Sequence, residues 1–220
     1  MRYRFLILIT ALLTATLLIS NTLDTKIFTV MGLNLPAGII LFPLAYLAGD
    51  VLTEVYGYAI ARRVIWSSII ALLMMVGAYE IARLLPPAGF WENQVHFDAI
   101  LSHVPRLVLA SILAYICGEF TNSLIVAKMK VATAGKYMSA RFITSTIFGQ
   151  LVDTTVFIAV AFSGVLALND MVSVLISAWL LKVAWEVVAL PFTLLIVRAL
   201  KKAEGEDHYD RSTNFNPFKM

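Results

Sequence analysis

Apolar residues run in long blocks along this chain, and the polar ones gather at the joints between blocks or stand alone inside them. A helix that crosses hydrocarbon takes about 20 predominantly apolar residues. Six blocks meet that requirement, at about 4–22, 37–60, 64–85, 104–127, 142–167 and 172–198. The joints carry turn-formers and helix breakers, among them Asn34-Leu35-Pro36, Pro86-Pro87-Ala88-Gly89 and Asn169-Asp170. The pattern predicts an all-α, polytopic membrane protein. A six-helix transmembrane domain covers residues 1–200, and a polar tail, 201–220, is expected to be mobile. The first block follows Arg2 and Arg4 as a signal peptide would, but it outruns a typical signal core and no A-x-A-like site closes it. It reads as a retained helix.

Composition supports this reading, with 60% hydrophobic residues and 14% charged ones. The net charge of +3 sits at block ends and forms no stripe interleaved with aromatics, which argues against a nucleic-acid partner. With the N-terminus placed in the cytoplasm, Arg2, Arg4, Arg62, Arg63, Lys128, Lys130, Lys136, Arg141, Arg198, Lys201, Lys202, Arg211 and Lys219 all fall on the inner side. Only Lys26, Arg83 and Arg106 fall outside, so the positive-inside bias predicts that both termini are cytoplasmic. The loop PPAGFWENQVHFDAILSHVP reads as carrying a short interfacial helix, with Phe90, Trp91 and Phe97 at headgroup level. His96 and His103 stand seven apart with no third ligand, so neither a metal site nor a cofactor is expected. The single cysteine, Cys117, reads as a buried, inert thiol.

Against this background the acids inside the blocks stand out. Asp50 lies twelve residues before Arg62, Glu119 nine before Lys128, Asp153 twelve after Arg141 and Glu186 twelve before Arg198. At 1.5 Å per residue, these acids lie about 14–18 Å from the cytoplasmic ends, near the middle of the bilayer. Asn122 shares a helix face with Glu119, Gln150 with Asp153, and Lys182 with Glu186. A charge at that depth costs about 2.5–3.5 kcal/mol on insertion scales, so these groups must face the bundle interior or water. Lys182 is the only base at that level and offsets at most one acid; its pairing with Glu186 is the simplest structural account. The remainder points to a ligand or ion pathway. Glu54 lies nearer the cytoplasm, within reach of Arg62 or Arg63. Ionised carboxylates accept parallel N–H groups, Asn and Gln both donate and accept, and Phe42, Tyr46, Tyr115, Phe148, Trp179 and Trp185 could stack on a ring. The set suits a planar, polar heterocycle, with an inorganic ion as the other option.

The blocks FPLAYLAGDVLTEVYGY (42–58), PRLVLASILAYICGEFTNS (105–123), STIFGQLVDTTVF (145–157) and LLKVAWEVVALPF (180–192) resemble the queuosine precursor transporter family, six-span inner-membrane proteins of the vitamin uptake transporter type. The resemblance runs from about Ser20 to Lys202 and departs from the family at Asp24, where a small residue is usual. It implies import of 7-deazaguanine bases, 7-cyano-7-deazaguanine and 7-aminomethyl-7-deazaguanine, salvaged for the tRNA nucleoside queuosine. On that basis Glu119 or Asp153 would read the guanine edge, with Asn122, Gln150 and Lys182 as the polar complement. Asp50 and Glu186 would shape the cavity or carry a proton. The expected partners are the bilayer and the small-molecule solute; a homo-oligomer is left open.

Two other classes compete. A substrate-capture subunit of an energy-coupling-factor importer would need partner ATPases, because no GxxxxGK[ST] loop occurs in the chain. An intramembrane enzyme is disfavoured by the lack of HExxH and GxSxG motifs and of a Cys–His pair at matching depth.

Overall fold

The computed structural model describes residues 3–23, 25–30, 33–101, 105–164 and 167–219. Asp24 and His103, and the side chains of Phe42 and Arg106, lie outside what is described. The first apolar block forms α1 (Leu6–Leu23), and a two-stranded antiparallel hairpin follows, β1 (Ile27–Val30) with β2 (Leu33–Pro36). The hairpin adds to an otherwise helical chain an element that the apolar blocks did not predict. Its strands are four residues each and flank Met31-Gly32, too short to register against the long helical pattern.

The second block is not one regular helix. A 3₁₀ turn (Ala37–Ile40) leads into α2 (Phe42–Val51), which has Pro43 in its first turn, where no intrahelical N–H is needed. A π-helical turn (Leu52–Tyr56) follows and stops at Gly57, whose φ of +89° is open to glycine and strained for other residues. The next helix, α3 (Tyr58–Leu84), therefore starts at 58 rather than 64. The remaining helices are α4 (Gln94–Leu101), α5 (Pro105–Ala132), α6 (Met138–Phe162) and α7 (Leu168–Glu204). The short α4 falls in the loop expected to hold an interfacial helix, and Trp91 packs edge-on against Phe97 there.

Among the described residues, α1, α3, α5, α6 and α7 are long and apolar enough to cross a membrane. Their outer faces expose Ile70, Met74, Phe148, Trp185, Val188 and Phe192, while Asp50, Glu54, Glu119, Asn122, Gln150 and Glu186 are buried between them. Apolar outside and polar inside is the arrangement hydrocarbon solvent selects. Cys117 lies on the outer face and is exposed, contrary to the buried thiol expected, because α5 turns its Gly118 and Glu119 side inward instead.

The tail is also ordered differently from the expectation. Helix α7 runs to Glu204, whose carboxylate accepts the backbone N–H groups of Arg4 and Phe5 (2.8 and 2.7 Å) and the Tyr56 hydroxyl (2.8 Å). The start of α1 and the end of α7 thus meet at one end of the bundle. Beyond Gly205 the chain packs back onto the helices instead of hanging free. Its backbone carbonyls satisfy buried donors on α3, so the segment has specific partners despite its polar composition.

Candidate functional site

Close approach of α5 and α6 sets the geometry of the polar layer. A Cβ on Gly118 would stand 2.6 Å from Asp153 Cβ and 3.1 Å from the Gly149 carbonyl; one on Gly149 would stand 3.0 Å from Asn122 Cβ. The two glycines let the backbones touch, as small residues do at membrane helix crossings, and this brings Asn122 and Asp153 to either side of the crossing. Across from them, Gly49 of α2 leaves the space that the Glu119 carboxylate fills, because a Cβ there would overlap Glu119 Oε1.

Within the layer Asn122 Nδ2 donates to Asp50 Oδ1 at 2.8 Å. Asp50 has Glu186 and Glu119 as electrostatic neighbours, and Glu119 has Asp153. Lys182 Nζ pairs with Asp153 Oδ2 at 2.6 Å, across from α7 to α6, and not with Glu186 on its own helix. That overturns the Lys182–Glu186 pairing: residues four apart share a face, but the neighbouring helix offers an acid at closer range. All seven residues singled out in the sequence lie in this region: Asp50, Glu119, Asn122, Gln150 and Glu186 are buried, and Asp153 and Lys182 are partly buried. Of the aromatics expected beside them, Tyr46 is buried and neighbours Glu119, Gln150 and Asp153. Phe148 and Trp185 point outward, and Trp179 is engaged with the Ile147 carbonyl of α6 at 2.9 Å.

The layer is rich in buried acceptors without protein donors. Among the described residues, Asp50 Oδ2, Asn122 Oδ1, Gln150 Oε1 and Glu186 Oε1 find no hydrogen-bond partner, and neither do the hydroxyls of Tyr115, Thr146 and Thr154. Each such group costs about 1–3 kcal/mol when left unsatisfied. A molecule carrying several N–H donors would satisfy the arrangement.

A second charged level, which the sequence reading did not assemble, lies toward the end of the bundle where the termini meet. Asn122 and Lys130 are eight residues apart on α5, so the two levels are separated by about 12 Å. Here Glu54 of the π turn is fully buried and meets Arg141, Lys130 and Lys201. Arg141 Nε and Nη2 donate to its two oxygens at 2.7 and 2.6 Å. The third nitrogen, Nη1, donates to the Lys136 carbonyl (2.8 Å) in the α5–α6 turn. Arg62 does not pair with Glu54, and Arg63 is exposed, because the stop at Gly57 takes α3 out of line with the π turn. The sequence hint was the Gly in VYGY, which breaks the helical continuity that the Arg62 pairing assumed.

Comparison with known proteins bears on this arrangement directly. The family model described as "Putative vitamin uptake transporter" matches residues 36–196, which include α2, the π turn and every residue of the polar layer. A Bacillus subtilis (strain 168) protein named "Probable queuosine precursor transporter" is 29% identical over 174 residues, covering 79% of this chain and 76% of that protein. The Escherichia coli (strain K12) protein named "Queuosine precursor transporter" is 27% identical over 146 residues, 65% of this chain and 62% of its own. A Haemophilus influenzae relative named "Probable queuosine precursor transporter" is 28% identical over 127 residues, 57% of this chain and 51% of its own. No solved structure matches the chain. With the matched region spanning most of the helical body, the chain belongs to the vitamin uptake transporter family, multi-pass membrane proteins that move a small solute and catalyse no reaction, located in bacteria in the inner membrane.

Proposed function

We propose that this chain imports queuosine precursors, 7-deazaguanine bases, and that the polar layer is where they bind. The observation that carries the reading is the excess of buried acceptors: Asp50 Oδ2, Asn122 Oδ1, Gln150 Oε1 and Glu186 Oε1 all await donors. A guanine edge supplies a ring N–H and an exocyclic amine, which one carboxylate accepts together. Its carbonyl oxygen calls for a donor, and Lys182 and the amides of Asn122 and Gln150 are at hand. Glu119 or Asp153 reads the edge; Asp50 and Glu186 shape the cavity or take a proton. The cationic aminomethyl form would draw on a second acid. The names carried by the relatives point to the same solute class.

In this reading the chain crosses the membrane six times, with the 3₁₀ turn, α2 and the π turn (37–56) together making the crossing that joins the five long helices. The contact of Arg4 and Phe5 with Glu204 supports an even number of crossings, since it holds both ends together. The positive-inside bias supports a cytoplasmic location for that end.

The test is salvage of 7-cyano-7-deazaguanine in cells that lack both its synthesis and their own transporter, read as queuosine in tRNA. Restoration by the wild type, and its loss in well-expressed Glu119→Gln or Asp153→Asn, is the expected result. A well-expressed wild type that restores nothing points to another solute or a missing ATPase partner. Full activity in both variants moves the site away from the layer.

A further inference from the structure

The segment after Gly205 lies across the end of the bundle with an unusual density of specific contacts. On α3, Tyr58, Arg62 and Trp66 stand at successive intervals of four and form a stripe of donors. The Tyr58 hydroxyl donates to the Phe215 carbonyl (3.0 Å), Arg62 Nη1 to those of Asn214 and Asn216 (2.8 Å each), and Trp66 Nε1 to that of Pro217 (2.8 Å). Phe215 packs against the Tyr58 ring, and Phe218 against Trp66.

The front of the segment is seated on two glycines. The His208 ring lies where a Cβ on Gly57 would be, and the Tyr209 hydroxyl where one on Gly135 would be. Both glycines have positive φ, so each turn and its seat depend on the same missing side chain. Asp210, itself buried, accepts the backbone N–H of Tyr58 (3.0 Å) and so caps the first turn of α3, where Gly57 has no side chain to do it. Asp207 bridges Lys130 (2.6 Å) and Lys201 (2.8 Å), the two lysines that also hold Glu54. The segment thus ties α3 and the π turn to α5, α7 and the α5–α6 turn.

We propose that residues 207–218 are a latch that holds this end of the bundle shut over the polar layer. Any separation of α2–α3 from α5–α6 at this end must pull the segment off its seats on Gly57 and Gly135. The layer can open to this side only after the latch has left. What the gate guards rests on the reading of the layer as the solute site; the latch itself does not.

The test reads the opening directly, without solute. Thr146 is buried on α6 between Arg141 and Gln150, at the edge of the layer that faces the latch. Thr146→Cys in a Cys117→Ser background gives a single thiol for a membrane-impermeant maleimide, applied to each face of sealed vesicles. A spin label at Ser212→Cys, in the same background, reports whether the tail is docked. Asp210→Ala with Trp66→Phe removes two of its anchors. The expected result is a mobile spin label and a labelling rate raised about tenfold from the face that carries the tail, the response to losing a charge-assisted hydrogen bond. Unchanged labelling with a released tail overturns the latch. Equal gains from both faces would mean general loosening and overturn it too, as would a tail that stays immobile. If labelling responds while the wild type fails to salvage the base, the solute is wrong and the latch stands.

Discussion

Arg141 and Glu54 meet as two parallel hydrogen bonds, Nε to Oε2 at 2.7 Å and Nη2 to Oε1 at 2.6 Å, with neither side chain reaching solvent. Only a guanidinium fork fits both oxygens while its remaining nitrogen ties down the α5–α6 turn. Glu54→Ala leaves the buried Arg141 guanidinium without its acid and is expected to lower stability by about 3–5 kcal/mol, whereas Arg141→Ala should cost less, because Lys130 and Lys201 still face Glu54. Arg141→Lys keeps the charge but loses the fork, and should recover only part of the loss. Thermal unfolding in detergent measures this; a lysine variant as stable as the wild type would show that the fork is dispensable.

Glycine substitutions separate close approach from mere composition. Gly118→Ala puts a methyl 2.6 Å from Asp153 Cβ and 3.1 Å from a backbone carbonyl, neither of which can yield cheaply. A cost of about 1–3 kcal/mol is expected, together with loss of uptake as α5 and α6 are pushed apart. Gly49→Ala drives the Glu119 carboxylate from its place and should reduce uptake at a smaller cost in stability, because a side-chain terminus can move. Gly77→Ala in α3 meets nothing within 4 Å and is expected to raise stability by up to about 1 kcal/mol. Melting temperatures of the three variants, alongside uptake, give the comparison.

The helical, membrane-spanning character of the chain was legible in its apolar blocks, and the burial of Asp50, Glu119 and Glu186 followed from the cost of turning an acid toward lipid. Pairing was not legible. Lys182 and Glu186 share a helix face in the sequence, yet the partner of Lys182 is Asp153, set by an α6–α7 contact that no local spacing encodes. The Glu54 cluster failed for a different reason. The rise of 1.5 Å per residue assumes an unbroken helix, and the π turn and Gly57 intervene between Glu54 and Arg62. Lys130, Arg141 and Lys201 looked like the ordinary positive ends of spans, and their convergence on one acid depends on where three helices stop. The tail was hidden because it docks largely through its own backbone carbonyls, which every sequence has.

Asp207 makes tail docking sensitive to acid. Burial favours its neutral form, but the hydrogen bonds from Lys130 and Lys201 outweigh this and hold its carboxyl below the usual range. A group with a lowered pKa in the folded state contributes stability that is complete above the unfolded value, about 3.9, and is lost as pH falls through the folded one. Between pH 7 and 5 this contribution should therefore stay constant, and below about pH 4 it should fade. The mobility of a spin label at Ser212→Cys, titrated with and without Asp207→Asn, isolates the effect. Asp207→Asn should show a larger mobile fraction at neutral pH and lack the acid step that the difference assigns to Asp207.

The Lys182–Asp153 pair allows a structural role to be told from a solute-binding one. If the pair only holds α6 to α7, removing both charges should be tolerated, since a neutral, well-packed pair is often as stable as the ionic one. Each single change, Lys182→Met or Asp153→Asn, breaks the ion pair while keeping one of its charges inside the bundle and should be the more damaging to the fold. The double variant is accordingly expected to be at least as stable as the worse of the two singles. Transport should follow a different order. Where Asp153 and Lys182 meet the donor and acceptor edges of the base, the double variant loses both contacts and should take up less than 10% of the wild-type amount, the effect of about 1.4 kcal/mol or more of lost interaction. Salvage assays and melting curves on the same preparations give the two orders side by side. Wild-type uptake in a stable double variant would assign the pair to structure alone and shift the reading of the base toward Glu119, whose carboxylate lies over Gly49 with no basic partner among the described residues.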